Sequence, residues 1–171
     1  SSDLAWILLQ DKNKDLWIGT QAAGIDILPY DKMQKQDFSF AHLDSKDGLK
    51  SRTVYSMEQD VFGDIWFSSN KGISRYSLKE KTFKHFDLSH GLVDLEYSHG
   101  AVFKASNNAL YFGSGKGLTS VNPATINSNL SAPEVRLTNI LNSNEPMSLG
   151  TTLSDLARLE LEYTDQLISF E

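Results

Sequence analysis

Asp60-Val61-Phe62-Gly63-Asp64-Ile65-Trp66-Phe67-Ser68-Ser69 decides how this chain is read, because it recurs. Asp15-Leu16-Trp17-Ile18-Gly19-Thr20 matches its second half upstream, and Ala109-Leu110-Tyr111-Phe112-Gly113-Ser114 echoes it downstream. Trp17 lies 49 positions before Trp66, and Tyr111 lies 45 after it. A fixed period of roughly 40–50 residues marks a repeat architecture, and this length suits the four strands of a propeller blade. Recurrent residues are therefore read first as scaffold.

Outward from the aromatic, each unit carries a glycine and an aliphatic residue: Gly24-Ile25, Gly72-Ile73 and Gly117-Leu118. Before each aromatic stands a strand-like run, Ala5 to Leu9, Val54 to Glu58 and Ala101 to Phe103, and then a turn. The turns are Asp11 to Asp15, Asp60 to Asp64 and Ser106 to Asn108, so each pair of runs reads as a hairpin. A third strand follows each glycine, and Ile73-Ser74-Arg75-Tyr76 alternates as a half-buried strand should. A fourth is visible in two units, Phe38 to His42 and Thr82 to Phe86, each leading to a Gly-Leu pair, Gly48-Leu49 and Gly91-Leu92. No ten-residue stretch has a helical period; Leu153 to Leu159 allows one short turn. The fold class is all-β, with three four-stranded blades. One such sheet cannot cover both its faces, so Trp17, Trp66 and Tyr111 are expected to fill the space between neighbours.

These residues resemble the two-component regulator propeller repeat. Asp60 to Phe67, Gly72 to Tyr76, Phe83 to Phe86 and Gly91-Leu92 look like one full copy. Leu95-Glu96-Tyr97, Leu110 to Gly113 and Gly117 to Pro123 look like the last blade of such propellers. Ala132 to Asn139, Leu159 to Tyr163 and Leu167 to Phe170 resemble the start of the β-sandwich, named for its three tyrosines, that follows them. The resemblance implies a β-propeller part over residues 1–126 and an incomplete β-sandwich over 127–171. Family propellers carry more blades than three, and residue 1 is Ser, so the chain reads as a fragment of a larger sensor. Uncovered blade faces are expected to drive homodimerisation or other self-association.

Sixteen Lys and Arg stand against 22 Asp and Glu, a net charge of −6, without a basic cluster, which argues against nucleic acid. The absence of cysteine removes disulfides, thiol catalysis and cysteine-ligated zinc. No apolar run approaches the roughly 18–20 residues of a membrane span, so any membrane link is expected from other parts of the parent protein.

Several motifs dissolve on inspection. Asp11 to Asp15 begins like a calcium loop, but Leu16 and Ala22 stand where glycine and glutamate belong. Gly113-Ser114-Gly115-Lys116-Gly117 lacks the spacing and the hydroxyl of a phosphate loop. Asp60 and Asp64 occupy a turn slot, as Asp11 and Asp15 do, which gives no glycosidase pair. The histidines show no metal spacing, and neither a metal nor a cofactor is expected.

Glu96 falls on the glutamate of the family's last-blade motif. Arg52, His90 and Tyr97 share the blade-connecting segments with it, and Asn70 and Lys116 lie in the other loops of the same rim. Cationic, amide and aromatic groups together suit a carbohydrate or another small polar ligand. The resemblance implies a non-catalytic, periplasmic sensing module. Its parent would be a bacterial membrane sensor with a histidine kinase or diguanylate cyclase output. The alternatives are a protein-interaction scaffold and, less favoured, a polysaccharide lyase or hydrolase propeller.

Overall fold

The computed structural model describes residues 4–126, 139–143, 145–147, 158, 161, 163 and 167–170. It divides into two compact units, residues 1–127 and 128–171. The first unit holds three antiparallel sheets. Strands β1 (Ala5–Gln10), β2 (Leu16–Thr20), β3 (Ile25–Leu28) and β4 (Ala41–Leu43) lie side by side in chain order. So do β5 (Ser56–Gln59), β6 (Ile65–Ser69), β7 (Gly72–Ser77) and β8 (Thr82–Phe86). The third sheet is β9 (Tyr97–Lys104), β10 (Leu110–Ser114) and β11 (Gly117–Val121), so it has three strands among the described residues where a four-stranded blade was expected. The first strands of the three sheets, β1, β5 and β9, are neighbours and form the inner edge.

Two local expectations change in the first blade. A five-residue helix, α1 (Tyr30–Gln34), sits between β3 and β4. Pro29 presets its start, and the Asp15 carboxylate accepts the Tyr30 N–H at 2.7 Å. So short a helix leaves no period to read. The outer strand begins at Ala41 rather than Phe38, and pairs Ala41 with Ile27 and Leu43 with Ile25. Phe38 and Phe40 are exposed.

Two hydrophobic cores join the sheets. Trp17 and Ile25 of the first blade pack with Met57, Ile65, Phe67 and Tyr76 of the second. Trp66, Ile73 and Phe86 of the second pack with Tyr97, Leu110, Phe112 and Val121 of the third. Both tryptophans are at most 1% exposed. Tyr111 departs from this pattern: it is half-buried, and its neighbour Phe112 fills the core instead. The side of β10 that carries Tyr111 corresponds to the tryptophan-bearing side of the other blades. It also carries Phe103 and Leu118, 65% and 60% exposed.

Each buried indole is tied to the turn six residues before it. Asp60 Oδ1 accepts the N–H groups of Phe62, Gly63 and Asp64 at 2.8–2.9 Å, while Oδ2 accepts the Trp66 indole N–H at 2.8 Å. Asp11 does the same for Asn13, Asp15 and Trp17. In the third blade Ala105 and Tyr111 replace the pair, and the backbone turn persists: Ala105 N–H donates to Ala109 as Asp60 N–H does to Asp64. Lys14, Gly63 and Asn108 hold the same left-handed position in the three turns.

Gly24 and Gly72 are required for two reasons. Both have φ near +98°, and a Cβ on either would lie 2.4 or 2.3 Å from the carbonyl oxygen of Leu43 or Phe86 on the outer strand. Their N–H groups bond to the next connecting segment, at Arg52 and Leu95. Gly117 shares the left-handed backbone but meets no atom within 4 Å.

The second unit contains one small antiparallel sheet, with β12 (Ile140–Asn142) between β13 (Glu145–Pro146) and β14 (Ile168–Phe170). The expected strand at Leu167 to Phe170 is β14. Tyr163 sits in a fully exposed turn. Residues 132–138 and, apart from Arg158, the stretch from Leu153 to Leu159 where a short helical turn is expected lie outside the described residues.

Four substitutions test this scaffold by urea unfolding. Trp66→Ala is expected to cost about 3–5 kcal/mol. Asp60→Ala strips buried donors of their acceptor and is expected to cost about 2–4 kcal/mol. Gly72→Ala should cost about 3 kcal/mol or more and Gly117→Ala about 1–2 kcal/mol; equal losses would refute the steric account.

Candidate functional site

Antiparallel hairpins gather three kinds of segment at one end of the sheets: the blade-connecting segments, the loops between second and third strands, and the starts of the inner strands. The second blade's β6–β7 loop and the connecting segments on either side of that blade border a cleft of about 310 Å³ there, lined by Lys50, Asn70, Lys71, Asp87, Leu88 and Leu95. Pockets of roughly 300–1,000 Å³ are the usual size for small-molecule sites. Lys50 Nζ lies 3.5 Å from the Asp87 carboxylate, and Lys71 is exposed.

The sequence-predicted residues divide around this cleft. Asn70 lines it and accepts the Ser51 hydroxyl at 2.7 Å. That bond ties the β6–β7 loop to the connection bearing Arg52, whose side chain is exposed and whose carbonyl holds Gly24. Glu96 is exposed; its N–H donates to the Asp94 carboxylate at 3.4 Å, and Lys116 Nζ reaches the same carboxylate at 3.3 Å. The structure thus brings Glu96 and Lys116 together through Asp94. His90 faces a different depression, of about 230 Å³, with Gly91, Leu92 and Asn122.

Tyr97 is corrected outright. It is 3% exposed, belongs to the second core, and shares a 2.7 Å hydrogen bond with the Thr119 hydroxyl. Tyr97 points inward at the start of β9, whereas Glu96, one residue before the strand, is exposed, so Tyr97 cannot touch a ligand at the rim. Lys50, Lys71, Asp87 and Leu95 were not foreseen, because a lysine or leucine in a loop carries no periodic signal. Among the described residues no group of three His, Asp or Glu side chains could hold a metal, and no helix is long and apolar enough to cross a membrane.

Asp87 organises the cleft wall. It precedes the 3₁₀ helix Leu88–His90 and accepts the Ser89 hydroxyl at 2.6 Å and the Ser89 N–H at 3.0 Å. His90 Nδ1 lies 3.0 Å from the same oxygen. The Ser89 hydroxyl first, then His90 and the Ser89 N–H, hold the Asp87 carboxyl well below its ordinary value.

No protein-family model matches the chain. It is 30% identical over 131 residues to the histidine kinase P4 of Formosa agariphila, covering 77% of this chain and 9% of that protein. The extracellular domain of a hybrid two-component system of B. thetaiotaomicron superposes with a TM-score of 0.71 at 27% identity, over 80% of this chain and 18% of that one. The chain resembles the extracellular sensor region of hybrid two-component systems. A second such domain from the same organism superposes with a TM-score of 0.61 at 19% identity, over 71% of this chain and 17% of that one, which shows the shared fold. The chain therefore spans about a tenth of the curated relative and under a fifth of these structures.

The depressed Asp87 carboxyl gives a signed prediction. A lowered folded pKa adds stability above the unfolded value of 3.8 that is lost as pH falls through the folded one. A ¹³C carboxyl titration should place the Asp87 midpoint below 3.8, with Ser89 amide protection falling alongside it. An unshifted midpoint would contradict the capping geometry.

Proposed function

We propose that this chain is part of the signal-sensing, periplasmic region of a membrane-bound bacterial sensor, and that its rim binds a small polar ligand such as an oligosaccharide. The observation carrying this reading is the cleft beside the second blade's β6–β7 loop, in a chain that resembles extracellular domains of hybrid two-component systems. Three segments of the chain converge there, with two lysines, a carboxylate, an amide and two leucines. That mixture holds the hydroxyls of a polar ligand and shelters its carbon skeleton. Signalling would follow as a shift of population, set by the ligand's differential affinity for two arrangements of the sensor. The following β-sandwich, of the three-tyrosine type, would relay that shift to a kinase or cyclase output. The segment itself needs no catalytic group for this task.

The same chain carries a self-association surface. Phe103, Leu118 and Tyr111 present an apolar face on the side that a neighbouring sheet covers in the first two blades. A second copy of this chain, meeting that face with its own, is the proposed homodimer partner.

Isothermal calorimetry with a panel of oligosaccharides on the complete extracellular region is the test. Saturable heat from at least one sugar, weakened about tenfold or more by Asn70→Ala or Glu96→Ala, is expected. Silence across the panel, with signalling unchanged in both variants, would defeat the ligand reading. For the homodimer, sedimentation equilibrium of this chain should show a dimer that Phe103→Ser shifts to monomer; a wild-type monomer at all concentrations would exclude it.

A further inference from the structure

Three rings meet at the rim, one from each blade; Tyr55 also packs against the second hydrophobic core, while Trp6 and His99 belong to neither. Trp6 belongs to β1, Tyr55 stands one residue before β5, and His99 belongs to β9. The Trp6 and Tyr55 rings stack with centroids 5.7 Å apart and planes 18° from parallel. His99 meets Trp6 edge-on, at 5.0 Å and 89°. The positions are near-equivalents in the repeat, 49 and 44 residues apart.

Backbone irregularity delivers two of these rings. In β1, Ala5 faces Thr20 and Ile7 faces Gly19, so Trp6 is the extra residue of a bulge. In β9, Val102 faces Phe112 while Tyr97 faces Ser114, so the chain swells between them, at His99 and Gly100. Gly100 takes a left-handed φ of +71° and donates its N–H to the Tyr55 carbonyl at 2.8 Å. Bulges re-aim side chains and gather beside binding sites. Here two of them, in different blades, bring the Trp6 and His99 rings together, and Trp6 stacks on Tyr55.

The polar atoms of these rings separate them from the scaffold aromatics. Trp17 and Trp66 give their indole N–H to Asp11 and Asp60. His42, His85 and His90 bond to Asp26, Ser74 and Asp87. The Trp6 indole N–H, the Tyr55 hydroxyl and both His99 nitrogens have no hydrogen-bond partner among the described residues. Trp6 and Tyr55 are half-buried and His99 is exposed. The result is an apolar platform edged by one indole donor, one phenol and one imidazole. A pyranose ring has complementary chemistry, with a C–H face to lie on an aromatic plane and equatorial hydroxyls to reach the edges.

We infer that Trp6, Tyr55 and His99 form a stacking subsite for a neutral sugar unit. This rests on the sensor reading above and gives its ligand a place separate from the loop cleft. Trp6 is the tryptophan of the three that is not fully buried, so it reports occupancy directly.

The test is intrinsic fluorescence of this chain titrated with cellohexaose, laminarihexaose and maltohexaose. At least one hexasaccharide is expected to give a saturable blue shift. Trp6→Ala should weaken its binding, read by calorimetry, by about tenfold or more. Trp6→Phe should retain binding while abolishing the spectral change, which a merely structural role for Trp6 would not produce. Circular dichroism of the variants should match the wild type, because Trp6 and His99 belong to neither core; if Trp6→Ala fails to fold, Trp6→Phe and His99→Ala still decide the matter. Hexasaccharide binding of equal strength in wild type, Trp6→Ala and His99→Ala would overturn the subsite and leave the sensor reading intact. No response to any of the three neutral sugars would also overturn it. The sensor reading falls only if calorimetry on the complete extracellular region is silent as well.

Discussion

A carboxylate with almost no access to water holds each of the first two blades together. Asp60 is 1% exposed, and a buried charge is costly unless donors surround it. Four N–H groups do so, and being charge-assisted they are stronger than ordinary hydrogen bonds. One side chain therefore closes a tight turn and fixes the plane of the largest ring in the core. With the indole fixed, the sheet presents a defined surface against which the next can pack. Asp11 and Trp17 repeat the arrangement, and in the third blade both members are absent together. An isolated aspartate there would be a buried charge short of one donor, and an isolated indole would lack its acceptor, so the joint replacement by Ala105 and Tyr111 is the less costly state.

Most of this scaffold was legible, because large rings and positive-φ glycines leave widely spaced marks. The period of the tryptophans set the architecture, and Gly24 and Gly72 marked where the chain must slip past an outer-strand carbonyl. The Asp-to-Trp spacing of six residues was visible too, although its hydrogen bond was not. Features of short range escaped. A five-residue helix has no period, and Phe38 and Phe40 look like a strand although they precede one. Tyr111 sits in a tryptophan slot, yet no neighbouring sheet of the first unit covers its face.

The rim was harder to read. Its backbone location followed from topology, and Asn70, Glu96 and Lys116 stand where connecting loops should place them. Tyr97 was misassigned because one step of strand pleat separates a ligand-facing position from a core position. Trp6 and His99 were obscured for the opposite reason: bulges break the alternation from which orientation is read. Sequence regularity identifies the frame of this molecule, and the bulges of β1 and β9 are departures from it.

The glycine bonds at the rim have one more effect. Gly24 grips the segment leading into the second blade, and Gly72 grips the segment leading into the third, each through a main-chain hydrogen bond. The two connectors between the described blades are thereby clamped by the sheets they leave as well as by the sheets they enter. Adjacent blades cannot hinge apart at this end without rupturing the clamp, so a pull on one loop is passed along the chain as strain, sheet by sheet, with little slack.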